Sequence, residues 1–415
     1  MMFFCYTVTT RVPGNRVSSA ADGKSFLPVS SAEVDMSVLA VIFGILLILL
    51  VLGDAFETVV FPRRVTRRMR LVRLFYRLTW PLWSRTVLAL APGKRRENYL
   101  SYYGPLSFIL LLSMWASLLV IGFAFMYWAP GNAIKTPEGT VSFGACIYFS
   151  GTTLFTLGLG DIVPNALFTK VLSVLEAGTG FAFLAIVISY LPALNQSFSR
   201  REVNISLLDA RAGSPPTAAE ILRRHISDND IGALQTFLHE WERWSAELLE
   251  SHLSYPVLVY FRSQHDNQSW LAALTSILDT SAFAIASLEG ASARQAQLTF
   301  AITRHAIVDL ALVLHTSPSE PESSRLPPPD LAALRSMLIT EGLQLQQGPD
   351  VDKRLNELRQ LYEPYIHAIS KHLLLAIPPW IMESGPSDNW QVSAWGQSAG
   401  FRKTGRGKKH DGGHF

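Results

Sequence analysis

"TTLFTLGLGD", residues 152–161, decides how the rest of the chain is read. Two glycines and an aspartate close a run of threonines and leucines, with a long apolar stretch on each side. The chain has 415 residues, of which 49% are hydrophobic and only 17% charged, an apolar balance for a soluble protein. Three segments are apolar over the ~20 residues that cross a bilayer. They run from Met36 to Gly53, from about Tyr102 to Trp128 and from about Val171 to Leu191, the last broken only by Glu176. The fold class that follows is mainly α, a helical membrane protein. No small-residue cleavage site follows the first span, which reads as a retained helix. Cys5 and Cys146 lie far apart in unlike contexts, so neither a disulfide framework nor a zinc site is implied.

Basic residues mark the cytoplasmic side. Between the first two spans the arginines and lysines from Arg63 to Arg96 are opposed only by Glu97, which places that linker inside. The third span ends at Ser199-Arg200-Arg201, again basic. The expected topology is a multi-pass protein of the cell membrane (the inner membrane in a prokaryote), with its N-terminus outside and its C-terminus cytoplasmic. The opening stretch then lies toward the outer face.

The segment from Pro130 to Pro164 is too long for a plain turn. It holds an apolar piece, "VSFGACIYFSGTTLF", that predicts a short helix from Val141 to Phe155, and "TLGLGD" follows at once. Irregular backbone at membrane depth is tolerated only where protein surrounds it or where it lines a water-filled path. The stretch is therefore a re-entrant pore loop or a loop lying on the outer surface. Chemistry favours the pore. A potassium filter replaces the ion's water shell with consecutive backbone carbonyls aimed at one axis. Such aiming needs alternating backbone conformations, some at positive φ, which glycine adopts without a Cβ penalty. Gly158 and Gly160 alternate with Leu157 and Leu159 as this requires, Thr156 adds its carbonyl at the inner end, and Asp161 marks the outer mouth.

"YFSGTTLFTLGLGDIVP" resembles the signature of the potassium-channel pore module, whose filter usually reads threonine-valine-glycine-tyrosine-glycine-aspartate. The resemblance covers about residues 100–195, and Thr156, Leu157, Gly158, Leu159, Gly160 and Asp161 fall on the filter positions. It implies potassium held by the carbonyls of Thr156 to Leu159, and four copies of the chain around one axis. Three departures stand out. Leu159 replaces the usual tyrosine, Phe149 stands where relatives carry its tryptophan partner, and Thr152 stands where some carry a glutamate that pairs with the aspartate. Leu159 and Phe149 are expected to form an apolar cuff. Thr152, Thr153 and Glu176 are further candidates for filter support, with Glu176 facing the short helix in place of the missing carboxylate. Gly178 and Gly180 sit where the family's inner helix carries its hinge, although small residues also let helices pack closely. Phe181, Leu184 and Ile188 follow at helical spacing as cavity-lining candidates, and Pro192 is expected to bend or end the helix.

Around this module the chain divides into a disordered tail (1–35), a first transmembrane helix (36–60), a basic linker (61–99), a cytoplasmic helical domain (196–385) and a disordered basic tail (386–415). In the linker, Arg63, Arg67, Arg70 and Arg77 fall near one helical face and Met69, Val72, Phe75 and Tyr76 toward the other, an interfacial helix for anionic lipid. In the cytoplasmic half, helical patterns run over about 217–225, 231–252, 268–288, 293–314, 328–342 and 352–376. Residues 270–288 are apolar enough to pass for a fourth span, but Asp279 argues for burial in a bundle. No nucleotide-binding glycine fingerprint, calcium loop or metal cluster is present, and nothing points to nucleic acid, a cofactor or enzyme chemistry. The reading is a potassium-selective channel subunit. The alternatives are a weakly selective cation channel or a non-conducting membrane sensor or scaffold.

Overall fold

The protein is described from a computed structural model covering residues 31–59, 71–90, 94–137, 139–225, 232–263, 267–321 and 323–382. The arginines from Arg63 to Arg70 and most of both tails lie outside the described residues. The described residues form an all-α membrane protein with twelve helices and one two-stranded ribbon. The first helix, α1 (Ser31–Val59), starts one turn before the expected Met36, because the helix continues beyond its apolar run. It is followed by α2 (Leu71–Leu90), α3 (Lys94–Trp128), the short α4 (Phe143–Leu154) and α5 (Leu167–Ala212). Strand β1 (Ile134–Lys135) pairs antiparallel with β2 (Val163–Pro164), closing the loops on either side of residues 155–161.

Glycine sets the contact between α1 and α3. A Cβ at Gly44 would sit 2.6 Å from the Gly122 carbonyl oxygen, and one at Gly122 would sit 2.8 Å from Ile48. Close backbone approach of this kind substitutes for a hydrophobic drive that lipid does not supply. Lower down, Asp54 of α1 accepts from the Trp115 indole at 3.0 Å and from the Val72 amide at 3.2 Å, tying α1 to α3 and to the start of α2.

The α2 helix departs from the sequence expectation. Its aromatic face is covered by protein: Tyr76 stacks on Tyr260 at 5.0 Å, and the Trp80 indole donates to the His372 carbonyl at 2.9 Å. Aromatic pairs with a bonded polar handle outcompete an apolar lipid contact. The face left bare is a different one, the leucines at 74, 78 and 82.

The α5 helix continues through Pro192, so of the two outcomes expected there, a bend or an end, it does not end. Breaking a helix at proline reflects a cost of about 3 kcal/mol. Here Tyr190 and Leu194 on either side are buried, and Tyr190 stacks on Phe108 at 5.5 Å, contacts that hold the helical turns flanking the proline. The helix crosses the expected boundary at 195/196 and enters the bundle that follows.

That bundle comprises α6 (Ala218–His225), α7 (Gly232–Ser254), α8 (Trp270–Ser287), α9 (Ala291–Val313), α10 (Pro328–Thr340), α11 (Pro349–Gln360) and α12 (Glu363–Leu373). The stretch expected as one helix over 352–376 is two, because Pro364 starts α12 and cannot continue α11. Every residue of α8 is buried, so its apolarity is satisfied by protein contacts. Its Asp279 receives two hydrogen bonds from Arg325 (3.1 and 2.7 Å) and one from the Tyr362 hydroxyl (2.6 Å). Arg325 comes from the proline-rich break after α9 and also reaches Glu363, closing a buried charge cluster.

Arg201 fastens α5 to the bundle. It is buried and donates to the Leu258 and Phe261 carbonyls at 2.9 and 2.8 Å, to Glu202 at 2.9 Å and toward His252 Nε2 at 3.3 Å. The other ring nitrogen of His252 donates to the Leu248 carbonyl at 2.8 Å, which leaves Nε2 as the acceptor. Burial, then the Arg201 charge, pushes the His252 pKa down to about 3. An unfolded histidine titrates near ~6.5. The contribution is therefore full above that value and is lost as pH falls toward about 3. His252→Gln, which does not titrate, is expected to flatten the loss of stability between pH 7 and 4, read as denaturation midpoints in detergent. Parallel curves for the two proteins would contradict this.

Candidate functional site

The short helix α4 begins at Ser142, whose hydroxyl accepts from the Ala145 amide at 3.1 Å. It is two residues shorter at its start than the Val141–Phe155 expectation, because this cap fixes the first turn. At its other end the last carbonyls gather the amides that follow. Thr156 donates to the Thr153 carbonyl at 3.0 Å, Leu157 to the Thr152 carbonyl at 2.8 Å, and Gly158 to the same oxygen at 3.3 Å. Thr152 and Thr153 thus act on the next segment through their backbone.

From there the chain alternates. Thr156, Gly158 and Gly160 have φ of 57°, 55° and 81°, while Leu157 and Leu159 between them are not at positive φ. For the two glycines the need is conformational, since a Cβ at either would meet nothing within 4 Å. Thr156 is the unforeseen member: a β-branched residue at positive φ is strained and needs its surroundings to hold it. Residues 155–161 are all exposed in the single chain, with Leu157 and Leu159 each at 64%.

The supporting side chains fall differently from expectation. Phe149 is buried edge-on against Tyr127 at 4.9 Å, and Leu159 stands outside the apolar cluster that holds Phe149. Within one chain the expected Leu159–Phe149 cuff is therefore absent, because Tyr127 occupies the Phe149 ring. The Thr152 hydroxyl donates to the Phe149 carbonyl at 2.9 Å. The charge of Asp161 acts instead on the Tyr148 hydroxyl, a neighbour the sequence reading passed over. Its signal was a hydroxyl-bearing aromatic beside Phe149.

Glu176 is fully buried and faces α4, as its place in the third span suggested. One oxygen accepts from the Tyr127 hydroxyl at 2.8 Å and the other from the Ser150 hydroxyl. It grips α4 and α3, not Asp161. No spacing in the sequence connects these three residues. Gly180, one turn on, lies under the end of α4, where an added Cβ would overlap the Leu154 carbonyl oxygen. Gly178 has nothing within 4 Å of its added Cβ. Phe181, Leu184 and Ile188 are exposed along the far side of α5. Among the described residues no group of histidine, cysteine, aspartate and glutamate is placed to hold a metal ion.

Residues 113–196 match the family model described as "Ion channel". The matched span takes in the second half of α3, α4, the alternating segment and α5 as far as Gln196. The chain is also 26% identical over 275 residues to the uncharacterized membrane protein YdjJ of Bacillus subtilis strain 168, across 65% of this chain and 78% of that protein. No solved structure matches the chain. The family match supports an ion channel in a membrane, a role without an enzymatic step.

The two glycines of α5 are separable by substitution. Gly180→Ala is expected to displace α4 and abolish both a stable assembly and ion flux. Gly178→Ala is expected to leave both near wild type. Size-exclusion profiles and liposome flux would check this, and equal tolerance at the two sites would remove the steric seat.

Proposed function

We propose that the chain is one subunit of a homotetrameric potassium channel whose selectivity filter is residues 156–161. The observation that carries the reading is the alternation of positive φ at Thr156, Gly158 and Gly160. This conformation turns successive carbonyls to one side, the geometry that replaces an ion's water shell. One chain supplies one such segment, and a closed ring of carbonyls needs several copies about an axis. The exposure of residues 155–161 fits a surface completed by other subunits. The partly negative C-terminal end of α4 would favour a cation before it enters the filter. The basic linker supports a filter on the outer side and a helical bundle in the cytoplasm.

Potassium over sodium is the finer part of the proposal. Leu159 in place of tyrosine makes a weakly selective cation channel the second reading, because Leu159 is 64% exposed in its own chain. Anionic lipid is the proposed partner of the linker, with the leucines at 74, 78 and 82 seated at the interface.

Single-channel recording of purified protein in planar bilayers tests the location of the filter. Gly158→Ala places a Cβ on left-handed backbone, at about 1–2 kcal/mol per residue, in every subunit. The expected outcome is loss of conductance with assembly preserved. Unaltered conductance would put the ion path elsewhere.

A further inference from the structure

A cleft of about 440 Å³ lies between α5 and α7, beside the buried Arg201. Sites that take small molecules span ~300–1,000 Å³. Ser197, Arg200 and Arg201 form the α5 wall, and Glu247 and Glu250 belong to the α7 wall. The two walls are therefore opposite in charge, yet they do not close on each other. Arg201 is spent within the chain, on Glu202 and on the Leu258 and Phe261 carbonyls. Glu247 pairs along its own helix with Arg243 at 3.2 Å. This leaves Arg200 on one wall and Glu250 on the other, both exposed. Neither forms an ion pair among the described residues, and Glu250 receives only the Ser254 hydroxyl at 3.3 Å.

The rest of the lining is of a different kind. Trp244 and Leu248 are 3% and 2% exposed. The Trp244 indole N–H is buried and has no acceptor among the described residues. A buried donor left unpaired is costly, and an acceptor entering from the cleft is the partner for which the fold leaves room.

We infer that this cleft binds a small organic zwitterion, with its anionic group at Arg200, its ammonium at Glu250 and an apolar body against Trp244 and Leu248. A purely anionic ligand would meet Glu250 as a like charge, and a purely cationic one would meet Arg200; such juxtapositions are penalised. A ligand carrying both charges satisfies both walls. The chemistry is that of an α-amino acid with an apolar side chain, and equally that of a phosphatidylethanolamine headgroup. The headgroup is a source because Tyr255, at one end of the cleft, packs on Tyr190 near the inner end of the third span, 5.2 Å between ring centres. The cleft is built from one chain, so binding does not depend on the proposed tetramer. Its consequence rests on the proposed function: an occupant adds a tie between α5 and α7 beside Arg201, on the helix that would line the ion path.

Equilibrium dialysis with radiolabelled L-phenylalanine tests the site on the full chain in phosphatidylglycerol nanodiscs, and in nanodiscs that also contain phosphatidylethanolamine. Saturable binding of one molecule per chain is expected in the first. Arg200→Gln and Glu250→Gln, both at exposed positions, are each expected to weaken it at least tenfold with the thermal midpoint unchanged. Phenylpropionate and phenethylamine, which each lack one of the two charges, are expected to compete at least tenfold less well than unlabelled L-phenylalanine. Either result in the second nanodisc supports the zwitterion: binding lost to phosphatidylethanolamine assigns the cleft to the headgroup, and binding retained assigns it to a soluble ligand. No saturable binding in phosphatidylglycerol, or binding indifferent to both substitutions, would overturn the site. Ion flux is measured separately, so that failure would leave the proposed function standing.

Discussion

The approach of α4 to α5 sets the position of the segment that follows α4. At Gly180 the Leu154 carbonyl lies where no side chain fits, which fixes the distance between the two helices. At Glu176, one turn earlier, the Ser150 and Tyr127 hydroxyls fix how α4 is rotated. A buried carboxylate is costly unless hydrogen-bonded, so Glu176 holds its partners firmly. The amides of Thr156 to Gly158 then bond to carbonyls of α4 itself. The start of the proposed filter is therefore part of the unit seated on α5, and its strained Thr156 is held by that seat.

A second junction lies where the helical bundle after α5 meets α2, α3 and α5. The 3-10 segment Pro256–Tyr260 carries Tyr260, which lies within 5.2 Å of Tyr76, Trp80 and Tyr103 between ring centres. Phe261 packs so closely on α3 that a Cβ at Gly104 would sit 2.7 Å from its ring. Arg201 ties α5 to the same segment. Any movement of this segment would therefore act on α3 and α5 together, and coupling of this kind is typically about 1–3 kcal/mol.

The sequence announced the membrane helices and the alternating segment because those features are local. Apolar runs declare a span by length, and Gly158 and Gly160 declare positive φ by residue type. Thr156 did not, since threonine there is held against its own preference by its amide's bond to the Thr153 carbonyl. At Pro192 the tendency to end a helix is outweighed by the buried Tyr190 and Leu194 on either side. Long-range pairs left no trace: Tyr127 with Glu176, Tyr148 with Asp161 and Arg325 with Asp279 are set by how helices cross. The linker face was misjudged because Tyr76 and Trp80 look equally apolar to lipid and to protein, and only the folded bundle supplies Tyr260 and the His372 carbonyl.

The central claim is that backbone carbonyls of residues 156–160 replace the water of a potassium ion and do so poorly for sodium. The most direct measurement is the reversal potential of the purified channel with potassium on one side of a planar bilayer and sodium on the other. The account predicts a strongly shifted potential that reports potassium as the permeant ion. A reversal potential near zero in the presence of clear single-channel openings would contradict it and leave an unselective cation pore.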